Sequence, residues 1–130
     1  MSDPHVASEV GTLREVIVHR PGREVERLTP DNHNELLFDD LLDPIQAKDD
    51  HDEFVEVMKR EGISVLALTD LLTETLDAEP QARAALLERT LNERRLGPIL
   101  TPAMREWCDG LTSAELTALC IEGLTVDEWK

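Results

Sequence analysis

Residues 43–68, DPIQAKDDHDEFVEVMKREGISVLAL, decide the fold class of this chain. They begin with the chemistry of a helix start. Asp43 can accept hydrogen bonds from the first free amides, Pro44 suits the first turn, and Gln46 can complete a capping box. Gly62 tolerates the left-handed conformation that commonly follows the last helical residue. The sequence therefore predicts one long helix that ends just before this glycine.

Strands are predicted on both sides of this helix. Residues 63–68 form a short apolar run of β-formers, and residues 12–20 contain another run, which Pro21-Gly22 stops. Residues 23–28 alternate only in part and predict a short extended piece. The long helix presents one apolar face at spacings typical of packing on a sheet. That face consists of Ala47, His51, Phe54, Val55 and Met58.

After residue 68 the pattern predicts only helices. Segments 70–76 and 80–94 are helical in character, and Gly97-Pro98 interrupts the pattern. Thr101 is predicted as the N-cap of a further helix, because its hydroxyl can accept from a free amide.

The last predicted helix is bounded by its own signals. Thr112 and Glu115 have capping-box spacing, and Gly123 is typical of a helix end. We therefore expect an α/β unit over residues 1–68 and a small helical unit over residues 69–130. Because two strands alone make a marginal sheet in water, we expect the sheet to continue elsewhere.

The composition excludes several classes of partner. The 130 residues carry 28 acidic and 13 basic side chains, and the net charge of −15 repels nucleic-acid phosphate and anionic membrane surfaces. No run approaches the about 20 apolar residues of a membrane-spanning helix. The N-terminus lacks the basic and apolar regions of a signal peptide. The cysteines follow no disulfide or zinc pattern, so we expect a cytoplasmic protein that binds neither nucleic acid nor membrane.

The candidate site is the loop before the long helix, residues 27–40, RLTPDNHNELLFDD. It combines a turn, an apolar pair, an aromatic ring and two adjacent carboxylates, and loops at strand ends commonly carry function. The same residues can instead fill a core and cap a helix. Asp39 and Asp40 could hold a cation, but adjacent residues on an extended chain point to opposite sides, which favours local capping and solvation. We expect no metal and no cofactor.

The remaining histidines and cysteines predict structural roles. His51 lies on the apolar helix face, which predicts a buried histidine whose ring nitrogens are satisfied. Cys108 and Cys120 predict core or boundary positions, because neither has the electropositive surroundings that lower a thiol pKa. The sequence contains no glycine-rich phosphate loop, and no Ser-His-Asp arrangement can be argued from it.

Five stretches of the chain carry a family resemblance. They are SEVGTLREVIVHRPG (8–22), RLTP (27–30), ELLFDD (35–40), QAKDDHDEF (46–54) and DLLTET (70–75). Together they closely resemble the N-terminal region of bacterial arginine deiminase. The resemblance covers most of residues 8–76 and is looser from residue 80 onward.

The resemblance implies a fold and an activity. The implied fold is a five-bladed α/β propeller, the pentein fold, with residues 1–68 as its first blade and residues 69–130 as part of a helical insertion. Enzymes of this family hydrolyse L-arginine to L-citrulline and ammonia in arginine catabolism. A cysteine attacks the guanidinium carbon, two carboxylates hold its nitrogens and a histidine transfers protons. Those motifs lie beyond residue 130, so no residue here is assigned as catalytic, and we expect the chain alone to be inactive.

The resemblance also assigns residues in the candidate loop. It places the backbone carbonyl of Leu37 near the α-amino group of the substrate, with Phe38 and Asp39 shaping the loop. The implied partner is the small molecule L-arginine, and exposed sheet edges favour a homo-oligomer. Two alternatives stay open. One is a stand-alone acidic α/β module that binds a protein through its sheet edge, and the other is a related amidinotransferase that shares the propeller.

Overall fold

A computed structural model of the protein describes residues 5–6, 8–32, 41–125 and 127–129. These residues are mostly helical and include one small sheet of two strands, which confirms the α/β class. In chain order the elements are β1 (Glu15–Val18), α1 (Arg23–Glu26), α2 (Pro44–Arg60), β2 (Ser64–Ala67), α3 (Leu68–Ala78), α4 (Pro80–Thr90), α5 (Glu93–Asp109) and α6 (Ser113–Glu122).

The two strands pair in parallel and α2 packs beside β2. Val16 lies opposite Val65, and Val18 lies opposite Ala67. Because side chains alternate along a strand, these four share one face of the sheet, and all four are half-buried. Ile17 points to the other face and is 57% exposed. The sheet is therefore covered on one side more than on the other.

The start of α2 confirms the predicted cap. One carboxylate oxygen of Asp43 accepts from the amides of Ile45 and Gln46 at 2.9 and 3.1 Å. The reciprocal half of the capping box is wrong, because the Gln46 side chain donates to Asp50 at 2.6 Å instead. Of the two predicted capping side chains, only that of Asp43 therefore caps the start of α2.

The end of α2 follows from Gly62. Its φ of +81° lies in the left-handed region, which a residue without Cβ adopts at little cost. The amide of Gly62 donates to the Lys59 carbonyl at 3.0 Å, and the amide of Ile63 donates to the Met58 carbonyl at 3.1 Å. These two bonds form a Schellman motif and turn the chain directly into β2.

The predicted apolar face of α2 is confirmed at four positions and wrong at one. Ala47, His51 and Val55 are half-buried and Met58 is fully buried, whereas Phe54 is 59% exposed. Successive residues of a helix project about 100° apart, and this rotation turns Phe54 from the side that Val55 covers toward the exposed side.

Residues 23–28, predicted as an extended piece, contain α1 instead. The Arg27 amide donates to the Arg23 carbonyl at 3.1 Å. The Glu24 carboxylate accepts from the Gly22 amide at 2.6 Å and so satisfies a donor at the helix start. The prediction was wrong because Arg and Glu form helices readily and because the partners of α1 lie far along the chain.

The helical half departs from the prediction in where its helices begin and end. The helix predicted over residues 80–94 is α4, and it ends at Thr90. The next helix, α5, begins at Glu93 and is kinked at Gly97, where φ is +77°. Thr101 is not an N-cap, because it lies inside α5 and its hydroxyl donates to the Gly97 carbonyl at 2.7 Å.

The start of α6 confirms the second predicted capping box. The Thr112 hydroxyl accepts from the Glu115 amide at 3.2 Å, and the Glu115 carboxylate accepts from the Thr112 amide at 2.8 Å. These two bonds satisfy amides that have no partner inside the helix. The bond from the Thr112 amide, followed by one from the Thr112 hydroxyl at 2.8 Å, lowers the pKa of the Glu115 carboxyl.

The buried core of the described residues lies mainly in the helical half. Thr117 is also buried, and its hydroxyl accepts a hydrogen bond from Thr73 at 3.0 Å, which joins α3 to α6. The core cluster consists of Leu76, Leu87, Leu91, Met104, Cys108 and Leu116.

The α/β half leaves many apolar side chains exposed. Among its described residues only Met58 is a fully buried hydrophobic residue, whereas Ile45 is 72% exposed. Burial of a large apolar side chain contributes roughly 1.5–3 kcal/mol, so this half gains little from its own packing. The other large apolar residues left exposed there include Leu13, Ile17, Leu41, Leu42, Phe54, Val57 and Leu68.

Candidate functional site

The predicted site residues Leu37, Phe38 and Asp39 lie outside the described residues, as do His33 and Asp40. Their assignments therefore remain predictions. What the structure describes is the chain that enters this segment, residues 27–32, and the chain that leaves it.

Asn32 closes a turn at the point where the chain enters the segment. Its side-chain oxygen accepts from the Thr29 amide at 2.7 Å, and its side-chain nitrogen donates to the Arg27 carbonyl at 2.9 Å. The Asn32 amide also donates to the Thr29 carbonyl at 3.2 Å. An asparagine that bonds nearby backbone in this way stabilises a tight turn. The turn is therefore tied to Arg27, which lies two residues before Thr29.

Arg27 is held from the opposite end of the chain. Its Nη2 atom donates to Glu128 at 2.9 Å and lies 3.3 Å from the Gly123 carbonyl. Arg23, one helical turn earlier, also donates to Glu128, and its other guanidinium nitrogen lies 3.9 Å from Glu122. Two guanidinium groups thus share one carboxylate, which links α1 to the residues after α6.

The Glu128 carboxylate is oriented by Thr125 as well as by the two arginines. Thr125 donates to it from its amide at 2.8 Å and from its hydroxyl at 3.0 Å. The bond from the Thr125 amide, followed by the bonds from Arg27 and the Thr125 hydroxyl, lowers the pKa of Glu128 to about 2. The carboxylate is therefore ionised throughout the neutral pH range. Sequence reasoning missed this pair, although Thr125 and Glu128 have the same spacing as the predicted capping box.

Trp129 packs the same C-terminal residues against α5. Its ring stacks on the ring of Trp107 with centroids 6.1 Å apart and an interplanar angle of 21°. Both rings lie against the buried core cluster. The segment that contains Glu128, residues 125–129, is thereby attached to the helical half.

The chain that leaves the segment is fixed by α2. Asp43 caps the helix, and Lys48 on its second turn donates to Glu26 of α1 at 2.7 Å. A second ion pair joins the end of β1 to α2, where Arg20 binds both carboxylate oxygens of Asp52 at 2.8 Å. The bonds from Arg20 lower the pKa of Asp52 to about 2.

His19 and Glu24 pair beside the turn that precedes α1. The Nε2 atom of His19 lies 2.9 Å from a Glu24 carboxylate oxygen. Burial by itself would raise the pKa of Glu24, but the bonds from the Gly22 amide and from His19 outweigh it and lower that pKa. The pair is therefore a further side-chain contact that shapes the start of α1.

His51 was predicted to be buried with satisfied ring nitrogens, but it is half-buried and its ring nitrogens have no hydrogen-bond partner among the described residues. The side chain is 16% exposed, and neither nitrogen has a hydrogen-bond partner. Its Nδ1 atom lies 3.5 Å from an Asp52 oxygen, which is an electrostatic contact with poor hydrogen-bond geometry. The ring therefore contributes mainly through packing on the covered face of α2.

A cleft of about 310 Å³ opens between α1 and the C-terminal residues. It is lined by Arg23 and Arg27 on one side and by Trp107, Glu122 and Glu128 on the other. Glu115 also lines the cleft, so two arginines face three glutamates and their charges offset one another only in part.

The cysteines occupy positions unsuited to nucleophilic chemistry. Cys108 is buried and Cys120 is exposed. Burial raises the pKa of the Cys108 thiol, and partial burial of the Cys120 sulfur raises its pKa as well, although the residue as a whole is exposed. The Cys108 carbonyl accepts from Arg83 at 2.8 Å. Cys108 therefore fits the predicted core position, whereas the exposed Cys120 does not fit a core position.

In the described part of the chain, no group of three or more His, Cys, Asp or Glu side chains converges to hold a metal ion. None of the helices described is both long and apolar enough to cross a bilayer.

Comparison with known proteins decides the family. The family profile described as arginine deiminase matches residues 34–128. The chain belongs to the arginine deiminase family. The match includes residues 34–40 of the candidate loop and extends through the helical half, where the resemblance in the sequence was looser.

Individual relatives carry the same name. The chain is 44% identical to an arginine deiminase of Mycolicibacterium gilvum over 121 residues, which is 93% of this chain and 30% of that protein. It is 42% identical to one of Rhodococcus erythropolis over 123 residues, and 41% identical to one of Rhodococcus jostii over 121 residues. Each alignment covers 30% of the relative. The chain therefore spans about a third of the length of the arginine deiminases it matches.

Proposed function

We propose that this chain forms the N-terminal part of an arginine deiminase, which hydrolyses L-arginine to L-citrulline and ammonia. Water supplies the ureido oxygen of citrulline, and one guanidinium nitrogen leaves as ammonia. The observation that carries the proposal is the 44% identity to the Mycolicibacterium gilvum arginine deiminase over 93% of the chain. Because the chain covers 30% of that relative, the proposal assigns the cysteine, carboxylates and histidine of the reaction to sequence beyond residue 130.

The proposed architecture is a five-bladed α/β propeller. Residues 1–68 would form its first blade and residues 69–130 part of a helical insertion. Two observations support this arrangement: the described sheet has two strands only, and Ile45 and Phe54 on α2 remain largely exposed. Two strands make a marginal sheet by themselves, so further strands and blades would complete it and cover these side chains.

The proposed substrate-binding residue is Leu37, whose backbone carbonyl would accept from the α-amino group of L-arginine. Phe38 and Asp39 would shape the same loop. The described residues on either side support the proposal, since Asn32 closes the entering turn and Asp43 caps the helix that follows. A backbone acceptor needs no particular side chain, so the role places no demand on the residue type at position 37.

The proposal extends to location and assembly. We place the enzyme in the cytoplasm, where it would need no cofactor, and we propose that it forms a homo-oligomer. The net charge of −15 supports a role that involves neither nucleic acid nor an anionic membrane surface.

The test is citrulline formation from L-arginine by two purified proteins. One is the 130-residue chain, and the other is the protein expressed from the complete reading frame of its gene. We expect product from the longer protein and none from the 130-residue chain. Product from the short chain would place the chemistry within these residues and would require Cys108 and Cys120 to be reconsidered.

Absence of product from both proteins would overturn the proposed activity. It would favour a stand-alone acidic α/β module that binds a protein partner through its open sheet edge. Transfer of the amidino group to an added amine, without citrulline formation, would instead identify an amidinotransferase.

A further inference from the structure

We propose that Arg27 is a positioning residue for substrate binding, and that Glu128 of the segment 125–129 holds it in place. The inference rests on the proposed function. It assigns to the end of the helical half a part in shaping the α/β half, where the proposed substrate loop begins.

A continuous chain of contacts joins Glu128 to the entering turn. Glu128 binds the Arg27 guanidinium at 2.9 Å, and the Arg27 carbonyl accepts from the Asn32 side chain at 2.9 Å. Asn32 in turn accepts from the Thr29 amide at 2.7 Å. The side chain of Arg27 thus meets the helical half, and its backbone meets the entering turn. A shift of its side chain would be transmitted to that turn.

Glu128, which anchors Arg27, is itself held in place. Thr125 holds the Glu128 carboxylate through its amide and hydroxyl, and Trp129 stacks on Trp107 beside the core. Glu128 therefore presents its oxygens with little freedom left to lose. An ion pair between preoriented groups keeps more of its electrostatic gain than one between two flexible side chains.

The surroundings of Arg27 offer little to replace Glu128 as a partner of its guanidinium group. Its side chain is 24% exposed, and its Nε atom is buried without a hydrogen-bond partner. Removal of Glu128 would leave this guanidinium half-buried and short of acceptors, since only the weak contact with Gly123 at 3.3 Å would remain among those described. The side chain would then move toward solvent.

The test measures steady-state citrulline formation by the full-length protein and its variants R27Q, R27K, E128Q and R27Q/E128Q. We expect R27Q and E128Q each to raise KM for L-arginine about three- to tenfold while kcat stays within about twofold, because the variants disturb binding rather than the reacting groups. The double variant should match the more affected single variant, because both changes break one pair. R27K keeps the positive charge but loses the planar, two-pronged guanidinium group. Its KM should therefore lie between the KM of the wild-type protein and that of R27Q.

The matched control is R20Q. Arg20 also pairs with a carboxylate, at 2.8 Å, but its partner Asp52 lies on α2 and the pair does not reach segment 125–129. We expect R20Q to keep the wild-type KM. Thermal unfolding of every variant distinguishes positioning from loss of folded protein, because a merely structural role would lower the melting temperature and the active fraction without raising KM.

The outcomes separate this inference from the proposed function. Wild-type activity with unchanged KM in both single variants would overturn the inference and leave the function intact, and so would additive KM effects in the double variant. No citrulline from the wild-type protein would overturn the function and the inference together. If R27Q does not fold, E128Q and R27K decide by the same criteria.

Discussion

The rings of Trp107 and Trp129 stack with their centroids 6.1 Å apart, and this contact fastens the last described residues of the chain to α5. Glu128, which precedes Trp129 in the chain, binds Arg23 and Arg27. The stack therefore helps to hold the segment whose carboxylate pairs with these two arginines.

The first prediction concerns this stack. Trp129→Ala should lower the free energy of unfolding by about 2 kcal/mol, since it removes both a stacking contact and half-buried apolar area. Trp129→Phe keeps a ring on Trp107 and should cost less than half as much. Urea unfolding of both variants measures the difference, and equal losses would show that the ring contact contributes nothing specific.

The second prediction concerns acid stability. The pKa of Glu128 is about 2 in the folded protein and higher in the unfolded chain, so the unfolded state binds more protons between these two values. Stability from Glu128 is therefore fully present above pH about 4.5 and is lost as the pH falls toward about 2. Arg23, Arg27 and Thr125 are the groups that face this carboxylate.

In E128Q this contribution is absent, so stability should fall less steeply with acidification. Urea midpoints at about pH 5, 4 and 3 measure the slope. Asp52, whose pKa is also about 2 beside Arg20, should give the same effect in D52N. Slopes identical to that of the wild-type protein in both variants would contradict the lowered pKa values.

The third prediction concerns the exposed side of α2. Phe54→Ser should change the stability of the 130-residue chain by less than about 0.5 kcal/mol, because the ring is 59% exposed there. In the full-length protein, where further blades would cover the ring, the same change should cost about 2–4 kcal/mol. Lys59→Ser, on an exposed part of the same helix, is the control and should be small in both. A small effect of Phe54→Ser in the full-length protein would argue against a covering blade.

The fourth prediction concerns the cysteines. Full-length variants C108A and C120A should retain kcat for citrulline formation within about twofold, because burial raises both thiol pKa values and neither sulfur is a ready nucleophile. C108A should still lower the melting temperature, since Cys108 is 1% exposed in the core. A loss of kcat of about a hundredfold or more in either folded variant would move the nucleophile into this chain.

Local chemistry was sufficient wherever the decisive contacts lie within a few residues. The cap of α2 at Asp43, its end at Gly62 and the capping box of Thr112 and Glu115 are all confirmed. In each case the donor and acceptor are neighbours in sequence, so residue type and spacing determine the bond. The family resemblance is also confirmed, because similarity to the arginine deiminases is carried by the sequence itself and needs no tertiary geometry.

Tertiary structure decided what depends on residues far apart. The extended piece predicted over residues 23–28 is a helix whose side chains meet Glu128 about a hundred positions later. Phe54 has the spacing of a core residue, yet its exposure depends on what packs beside α2. The sequence by itself thus determined the class, the ends of α2 and α6, and the family. The way the helical half holds Arg27 was decided only by folding, because no local pattern encodes a contact between chain segments 101 residues apart.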